Sequence, residues 1–280
     1  MPQFNRAVIV GVGLLGGSIG LALQRRKLAA EVIGTGRRES TLREAQSLGA
    51  ITAVELDLCR ACDAADLIVV CTPVQSVASQ AIACLTMNLA RDCLITDVGS
   101  TKATICEAIP ATGHQYFCGS HPMAGSDKSG VTFATADLFE NRLTIVTPTP
   151  ETPPILTERT HDLWKSLGSR TVQMQPLEHD EAIAQTSHLP HLVASALAAE
   201  TQQELLPLAA SGWCDTTRVA AGGVDLWRQI IIENRTPVLR ALKNFSDSLQ
   251  EWISVLDSGN EQRLTELLES GKQKRDSVGN

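Results

Sequence analysis

Short, wholly apolar runs alternate with amphipathic stretches through the first two-thirds of the chain. The runs predict strands near 6–10, 31–35, 67–72, 93–97, 116–120, 143–147 and 171–175. Between them, apolar residues recur at helical spacing near 14–25, 39–48, 75–86, 101–108 and 155–167. Buried strands separated by helices of this length predict an α/β fold, a doubly wound and mostly parallel sheet. The segment Asp127 to Glu140 fits neither pattern, and Thr147 to Pro154 reads as a stiff proline-rich surface loop. After Pro176 the strand pattern stops. Leu189, Leu192, Val193, Ala196 and Leu197 share one helical face, with Pro190 expected to kink it. Val238, Leu242, Phe245, Leu249, Trp252 and Leu256 recur at alternating steps of four and three, the seam by which one helix packs on another. The expectation is an α/β domain over 1–176 and an all-α domain over 177–280. A monomeric bundle satisfies the seam, and so does a homodimer formed through the C-terminal helices, which is the sharper expectation.

The composition narrows the class of protein. With 280 residues, 43% hydrophobic, the chain can build one or two cores. A net charge of −7 argues against a nucleic-acid partner. The C-terminal basic cluster, Lys272 to Arg275, reads as a solvated tail. The 8 cysteines do not form a disulfide framework: Cys71, Cys93 and Cys118 sit inside apolar runs, and Cys59 and Cys62 form a single C-x-x-C with no second pair at zinc spacing. No metal is expected. No apolar run reaches the roughly 18 residues of a membrane span, and the N-terminus enters the first strand directly, without a leader pattern. A cytoplasmic location is the expectation.

The first strand ends in Gly11-Val-Gly13-Leu14-Leu15-Gly16, a G-x-G-x-x-G placed between a strand and a helix. Gly11 allows the tight turn, Gly13 lets a pyrophosphate approach the backbone, and Gly16 lets helix and strand pack closely. The free amides at Leu14, Leu15 and Gly16 would face the phosphates. A dinucleotide is therefore the expected cofactor. NAD-binding folds place an acid at the end of the second strand, ~20 residues past the glycines, to hold the ribose 2′-hydroxyl. Here Gly36, Arg37 and Arg38 stand there instead. Guanidiniums suit a 2′-phosphate, so NADP is expected, although both arginines are also ordinary surface residues for a loop.

Four further segments carry candidate chemistry. Thr72 and Pro73 end a buried strand, where such folds hold their ligands. In Asp97-Val-Gly99-Ser100-Thr-Lys102, Gly99 allows close backbone approach, and Ser100 either caps the next helix or offers its hydroxyl to a substrate. Gly119-Ser-His121-Pro-Met-Ala-Gly125 sets His121 just past a strand end, a position for a general base, though a lone histidine is equally a structural residue. His188 and His191 flank Pro190 without a third metal ligand and read as pocket-lining histidines; Arg218, in a small-residue loop over 209–223, reads as a carboxylate clamp or as an ion-pair partner of Asp215.

In this order and spacing, Gly-Val-Gly-Leu-Leu-Gly-Gly-Ser (11–18), Cys-Thr-Pro-Val (71–74), Asp-Val-Gly-Ser-Thr-Lys (97–102), Gly-Ser-His-Pro-Met-Ala-Gly (119–125), His-Leu-Pro-His (188–191) and Thr-Thr-Arg-Val-Ala (217–221) resemble the prephenate/arogenate dehydrogenase family. The resemblance implies oxidative decarboxylation in tyrosine synthesis, on a Rossmann domain joined to a helical dimerisation domain. It implies that His121 takes the proton of the ring 4-hydroxyl, that Ser100 orients that hydroxyl, that Arg218 holds a substrate carboxylate, and that His188 and His191 line the pocket. Arogenate carries an ammonium where prephenate carries a keto group. Asp127, following the His121 segment, is a candidate partner for that ammonium or a cap on the next turn, so arogenate with NADP is the expected pair and prephenate the alternative. Neither a C-terminal regulatory domain nor an N-terminal mutase is expected. Two other readings remain at this point: an NADP-linked hydroxyacid or imine reductase, whose catalytic lysine would be lacking because the helical part has no Lys before Lys243, and a non-enzymatic NADP sensor.

Overall fold

The computed structural model describes residues 2–125 and 128–279. The backbone falls into two compact units, Met1–Asn234 and Arg235–Asn280.

The first unit opens with β1 (Phe4–Val10), α1 (Leu14–Arg25), β2 (Ala29–Thr35), α2 (Glu39–Ser47), β3 (Ala53–Val54), α3 (Leu58–Cys62), β4 (Leu67–Val70), α4 (Val74–Leu85), β5 (Leu94–Asp97) and α5 (Ala103–Ala108). Its five strands pair in parallel in the order β3-β2-β1-β4-β5, so the chain winds outward in both directions from β1. β4 and β5 are buried at every position, as a strand with helices on both faces requires. One core packs Ile9, Ile19, Leu23 and Val69 against Leu163 and Trp164; the other packs Val8, Val10, Ile68, Val70 and Val77 with Ile230.

The later strands leave this sheet. β6 (Gly119–Pro122), β7 (Leu143–Thr147) and β8 (Arg170–Gln173) form a second, three-stranded sheet in that order, with β6 antiparallel to β7 and β7 parallel to β8. A single parallel bridge, Ile95 to Phe117, joins the two sheets. Between β7 and β8 lies α6 (Pro154–Ser166), which starts with Pro at its first turn, where the missing N–H costs nothing.

From Pro176 onward every described element is helical: α7 (Pro176–Ile183), α8 (Leu189–Glu200), α9 (Ser211–Thr217) and α10 (Val224–Glu233) in the first unit, then α11 (Arg235–Ser258) and α12 (Glu261–Ser277) in the second. The kink expected at Pro190 takes a specific form. Pro190 sits in the first turn of α8, and the turn before it, Ala184–His188, is a π-helix that joins α7 to α8. Proline lacks an N–H and crowds the carbonyl four residues back, so a wider turn accommodates it. Half of the seam on α11 is uncovered: Leu242, Leu249 and Leu256 are 39%, 45% and 64% exposed, with Leu239 and Ile253 beside them exposed too, while Val238 is buried and Phe245 and Trp252 are half-buried.

The C-x-x-C is no bonded pair. Cys59 is exposed, Cys62 is buried on the same short helix, and all eight cysteines are free. Among the described residues, no helix is long and apolar enough to cross a membrane, and no group of three His, Cys, Asp or Glu is placed to hold a metal.

Candidate active site

The glycine turn has the geometry its spacing demands. Gly11 adopts φ +95°, and a Cβ there would lie 2.9 Å from the Cys71 carbonyl oxygen. A Cβ on Gly16 would lie 2.2 Å from the Gly11 carbonyl oxygen, so only glycine lets α1 start this close to β1. A Cβ on Gly13 would meet nothing within 4 Å. Gly13 also precedes α1 without any side-chain cap, leaving the first amides of that helix to an outside acceptor. Thr72, in the turn between β4 and α4 beside Gly11, has a buried hydroxyl without a hydrogen-bond partner. Uncapped amides, an open cradle and an orphaned hydroxyl at the carboxyl ends of β1 and β4 fit a dinucleotide. Gly36, Arg37 and Arg38 follow the end of β2, next to the turn, since the Gly11 amide donates to the Thr35 carbonyl (2.9 Å). Both arginines are exposed, and the next acid, Glu39, pairs with Arg43.

The second half of the site is a buried polar cluster. His121 lies within β6, paired with Ile145, rather than beyond a strand end: β6 runs to Pro122, two residues further than the apolar run suggested. Its Nδ1 is 2.8 Å from Nε2 of His179 on α7. His179 Nδ1 is 2.8 Å from Oδ1 of Asp180. That carboxylate also accepts the backbone N–H of Lys102 (Oδ1, 2.7 Å) and of Ala103 (Oδ2, 2.9 Å). It thus caps α5. Ser100 does not: the helix begins three residues later, at Ala103, and Asp180 already holds its first amides, so the capping role read for Ser100 is corrected. Ser100 is half-buried, and Gly99 beside it donates its amide to Asp97 Oδ2 at 2.8 Å. Beneath them Lys102 is fully buried and ion-paired with the equally buried Asp97, its ammonium also donating to the Ser120 carbonyl (3.0 Å). Asp97 Oδ1 in turn accepts the Ser120 amide (3.2 Å).

The cluster continues into the helical segment. Asn234 Nδ2 donates to the Asp180 carbonyl (2.8 Å) and contacts His188 Nδ1 (3.1 Å). His188 sits at the end of the π turn, and Trp227 of α10 meets it edge-on while stacking flat on His191 (3.6 Å between ring centres, 10° between planes). Gly222 presses against Trp227 and approaches the His191 ring, and the short helical turn Arg218–Ala221 packs along α8. The 209–223 segment is not a plain loop: Ser211–Thr217 is α9, and Arg218 opens the turn that follows. Arg218 is exposed and makes no ion pair with Asp215 among the described residues. Asp127 lies outside the described residues.

Burial sets the protonation of the imidazoles. Desolvation, then the neighbouring His179 and the Lys102 charge, hold His121 well below the ordinary histidine value. His179 is lowered mainly by burial, with its bond to Asp180 pulling the other way. Burial pushes His188 down to about 4 and lowers His191 as well. All four are neutral at neutral pH, and a neutral imidazole is able to accept a proton.

The structure therefore joins His121, His188 and His191 through a continuous set of contacts, and it adds residues that sequence reading passed over: His179, Asp180, Asn234, Trp227 and the buried Lys102. The His-Asp dipeptide at 179–180, opening a helix after the last strand, was the available signal for the first two.

Comparison with known proteins identifies the family. Residues 19–173 match the family model for the prephenate dehydrogenase nucleotide-binding domain, and residues 175–270 match that for the prephenate dehydrogenase dimerization domain. The chain is 34% identical over 266 residues to a prephenate dehydrogenase of Bacillus subtilis, covering 92% of this chain and 70% of that protein. It is 29% identical over 283 residues to a cyclohexadienyl dehydrogenase of Zymomonas mobilis, covering 98% and 96%. Among solved structures, prephenate dehydrogenase from A. aeolicus in complex with hydroxyphenyl propionate and NAD+ superposes with a TM-score of 0.90 at 30% identity, covering 98% of each chain. Synechocystis arogenate dehydrogenase superposes at 0.84 and 30% identity, covering 98% of this chain and 99% of that one. Matched by both family models, the chain belongs to the prephenate dehydrogenase family, as an enzyme of the prephenate/cyclohexadienyl dehydrogenase type that uses a nicotinamide cofactor.

Proposed function

We propose that the protein catalyses the NADP-dependent oxidative decarboxylation of arogenate to tyrosine. The observation that carries the chemistry is the buried His121 of β6, in one connected cluster with His188 and His191, where burial lowers its proton affinity. His121 accepts the proton of the ring 4-hydroxyl, and Ser100 hydrogen-bonds that hydroxyl and turns it toward the imidazole. The bound nicotinamide supplies the acceptor for the hydride that leaves the same ring carbon. The ring carboxylate departs as carbon dioxide and the ring becomes aromatic, so the protein's task is orientation plus one proton acceptor. Arg218 clamps a substrate carboxylate, His188 and His191 line the pocket, and Asp127, which lies outside the described residues, is the candidate partner for the substrate ammonium by its charge alone.

The residues Gly11, Gly13, Leu14, Leu15, Gly16, Thr72, Pro73 and Gly99 hold the dinucleotide. The choice of NADP is supported by Arg37 and Arg38, both exposed past the end of β2 where no carboxylate stands to repel a 2′-phosphate. The division of labour follows the sequence boundary, with 1–176 binding cofactor and 177–280 serving substrate and the homodimer; its support is that β8 ends at Gln173 and α7 begins at Pro176.

A prephenate-directed activity is the second reading, favoured by the likeness to the Bacillus subtilis prephenate dehydrogenase. Purified enzyme assayed at 340 nm with NADP or NAD, crossed with arogenate or prephenate, decides. The highest kcat/KM is expected with arogenate and NADP. Arg37→Ala/Arg38→Ala is expected to raise KM for NADP about tenfold or more while leaving NAD kinetics unchanged, since charge-assisted bonds contribute about 1.5–3 kcal/mol each. A wild-type preference for NAD, or for prephenate, would overturn the corresponding half of the proposal.

A further inference from the structure

We propose that His179 and Asp180 are positioning residues that fix the tautomer of His121, so that Nε2 is its lone-pair nitrogen. The inference rests on the reading of His121 as the proton acceptor and adds what makes that nitrogen the available one.

The argument is an accounting of donors along one buried chain. Asp180 is 1% exposed and His179 is 0% exposed, so water does not satisfy either. The Asp180 carboxyl faces two backbone N–H groups, those of Lys102 and Ala103, which only donate. It is therefore an acceptor at both oxygens, and His179 Nδ1, 2.8 Å from Oδ1, must carry the proton. A neutral His179 then has a bare Nε2. The 2.8 Å contact from that atom to His121 Nδ1 requires the proton on His121 Nδ1. His121 Nε2 is left with the lone pair. The opposite arrangement would set the lone pair of His179 Nδ1 against a carboxylate oxygen in a buried site, an unmade bond on both atoms.

Asp180 is held at both ends. Its side chain caps α5, and its backbone carbonyl accepts the Asn234 amide. That same amide donates to His188 Nδ1, which puts the remaining proton of His188 on Nε2. The site thus presents one imidazole as an acceptor and one as a donor. The charged and titratable groups around His121 are His179 and Asp180 on α7, Asp97 and Lys102 flanking β5, and His188 on the π turn. Lys102, although ion-paired with Asp97, opposes a charge on His121, and Asp180 on the His179 side is the carboxylate placed to favour the imidazolium formed when His121 takes up its proton.

The decisive measurement is direct. In enzyme labelled with 15N-histidine and saturated with NADP, long-range 1H–15N correlations at pH 7.5 are expected to show His121 with a protonated Nδ1 and a bare Nε2. His188 is expected to show the reverse. Resonances are assigned from the spectra of His121→Asn and His188→Asn. A protonated Nε2 on His121 would overturn the proposal. In kinetics, His179→Phe is expected to lower kcat at least ~10²-fold, up to the ~10⁴-fold scale of losing a tautomer-setting partner, with KM changed by less than about threefold. His179→Gln keeps an acceptor toward His121 and a donor toward Asp180, and is expected to recover much of the loss. Wild-type kcat in His179→Phe also overturns the positioning role, and if His121→Asn is at the same time inactive, the reading of His121 as the base survives. Full activity in His121→Asn would remove the base itself, whatever the tautomer.

Discussion

At the scale of single residues, His121 and the glycines of the first turn make opposite demands on their surroundings, and each demand is testable. His121→Asn is expected to leave a folded protein with substrate affinity near normal and to cut turnover at least ~10²-fold, the usual contribution of a general base; steady-state kinetics beside a melting curve checks it. Because burial holds the proton affinity of His121 well down, its imidazole stays neutral as pH falls through the ordinary histidine range. The acid limb of kcat/KM is therefore expected to lie below about pH 6.5. Gly13 and Gly16 separate cofactor binding from folding. Alanine at Gly13 meets nothing within 4 Å and fills the cradle, so it is expected to weaken binding of the nicotinamide dinucleotide on the order of tenfold with little change in Tm. Alanine at Gly16 drives a methyl to 2.2 Å from a backbone oxygen and is expected to cost about 1–3 kcal/mol of stability instead. Calorimetry and cofactor titration on the two variants should move different quantities. These residues were legible in the sequence because the motif's spacing encodes its geometry. Lys102 and Asp180 were not: a lysine is rarely buried without a partner, and the aspartate that caps α5 lies 78 positions from Lys102 in the chain.

At the scale of elements, periodicity located what was long enough to have a period. The strands at 143–147 and the helix at 14–25 sit where their patterns put them. The two-residue β3 and five-residue α3 had too few positions to show one. The split of the later strands into a second sheet was also hidden, since an apolar run records burial and not which neighbour it pairs with. The heptad-like seam of α11 was legible, and its exposure gives it a use. A soluble helix does not present Leu239, Leu242, Leu249, Ile253 and Leu256 to water without a partner surface, and the match to a dimerization domain over 175–270 supports a second copy of this chain as that partner. Leu249→Asp/Ile253→Asp is expected to shift the protein from dimer to monomer in size-exclusion chromatography with light scattering, because each buried leucine or isoleucine contributes about 1.5–3 kcal/mol and a charge in its place must be desolvated. An unchanged mass at micromolar concentration would move the interface elsewhere on the chain.

At the scale of the whole molecule, the buried imidazoles tie catalysis to stability. His121, His179, His188 and His191 all have proton affinities below the ordinary value, with burial the leading cause in each. In the unfolded chain each takes up a proton as pH falls through about 6.5. In the native protein they resist it until lower pH. The unfolded state therefore binds more protons over this window, and stability falls as pH decreases from about 6.5 toward the native values. His188, held down to about 4, accounts by itself for roughly 3 kcal/mol across its own window. The depressed carboxylates Glu151 and Glu266 act in the same direction but are fully exposed and titrate lower, near and below their ordinary range. Comparing pH 7.5 with pH 5.5 isolates the histidines. Urea unfolding at fixed protomer concentration, so that dimerisation does not enter, is expected to give a lower midpoint at pH 5.5, with a smaller drop in His188→Asn. A midpoint that stays level between those two pH values would mean that the cluster admits protons freely in the native state. That would contradict the neutral imidazole on which the proposed proton transfer from the substrate depends.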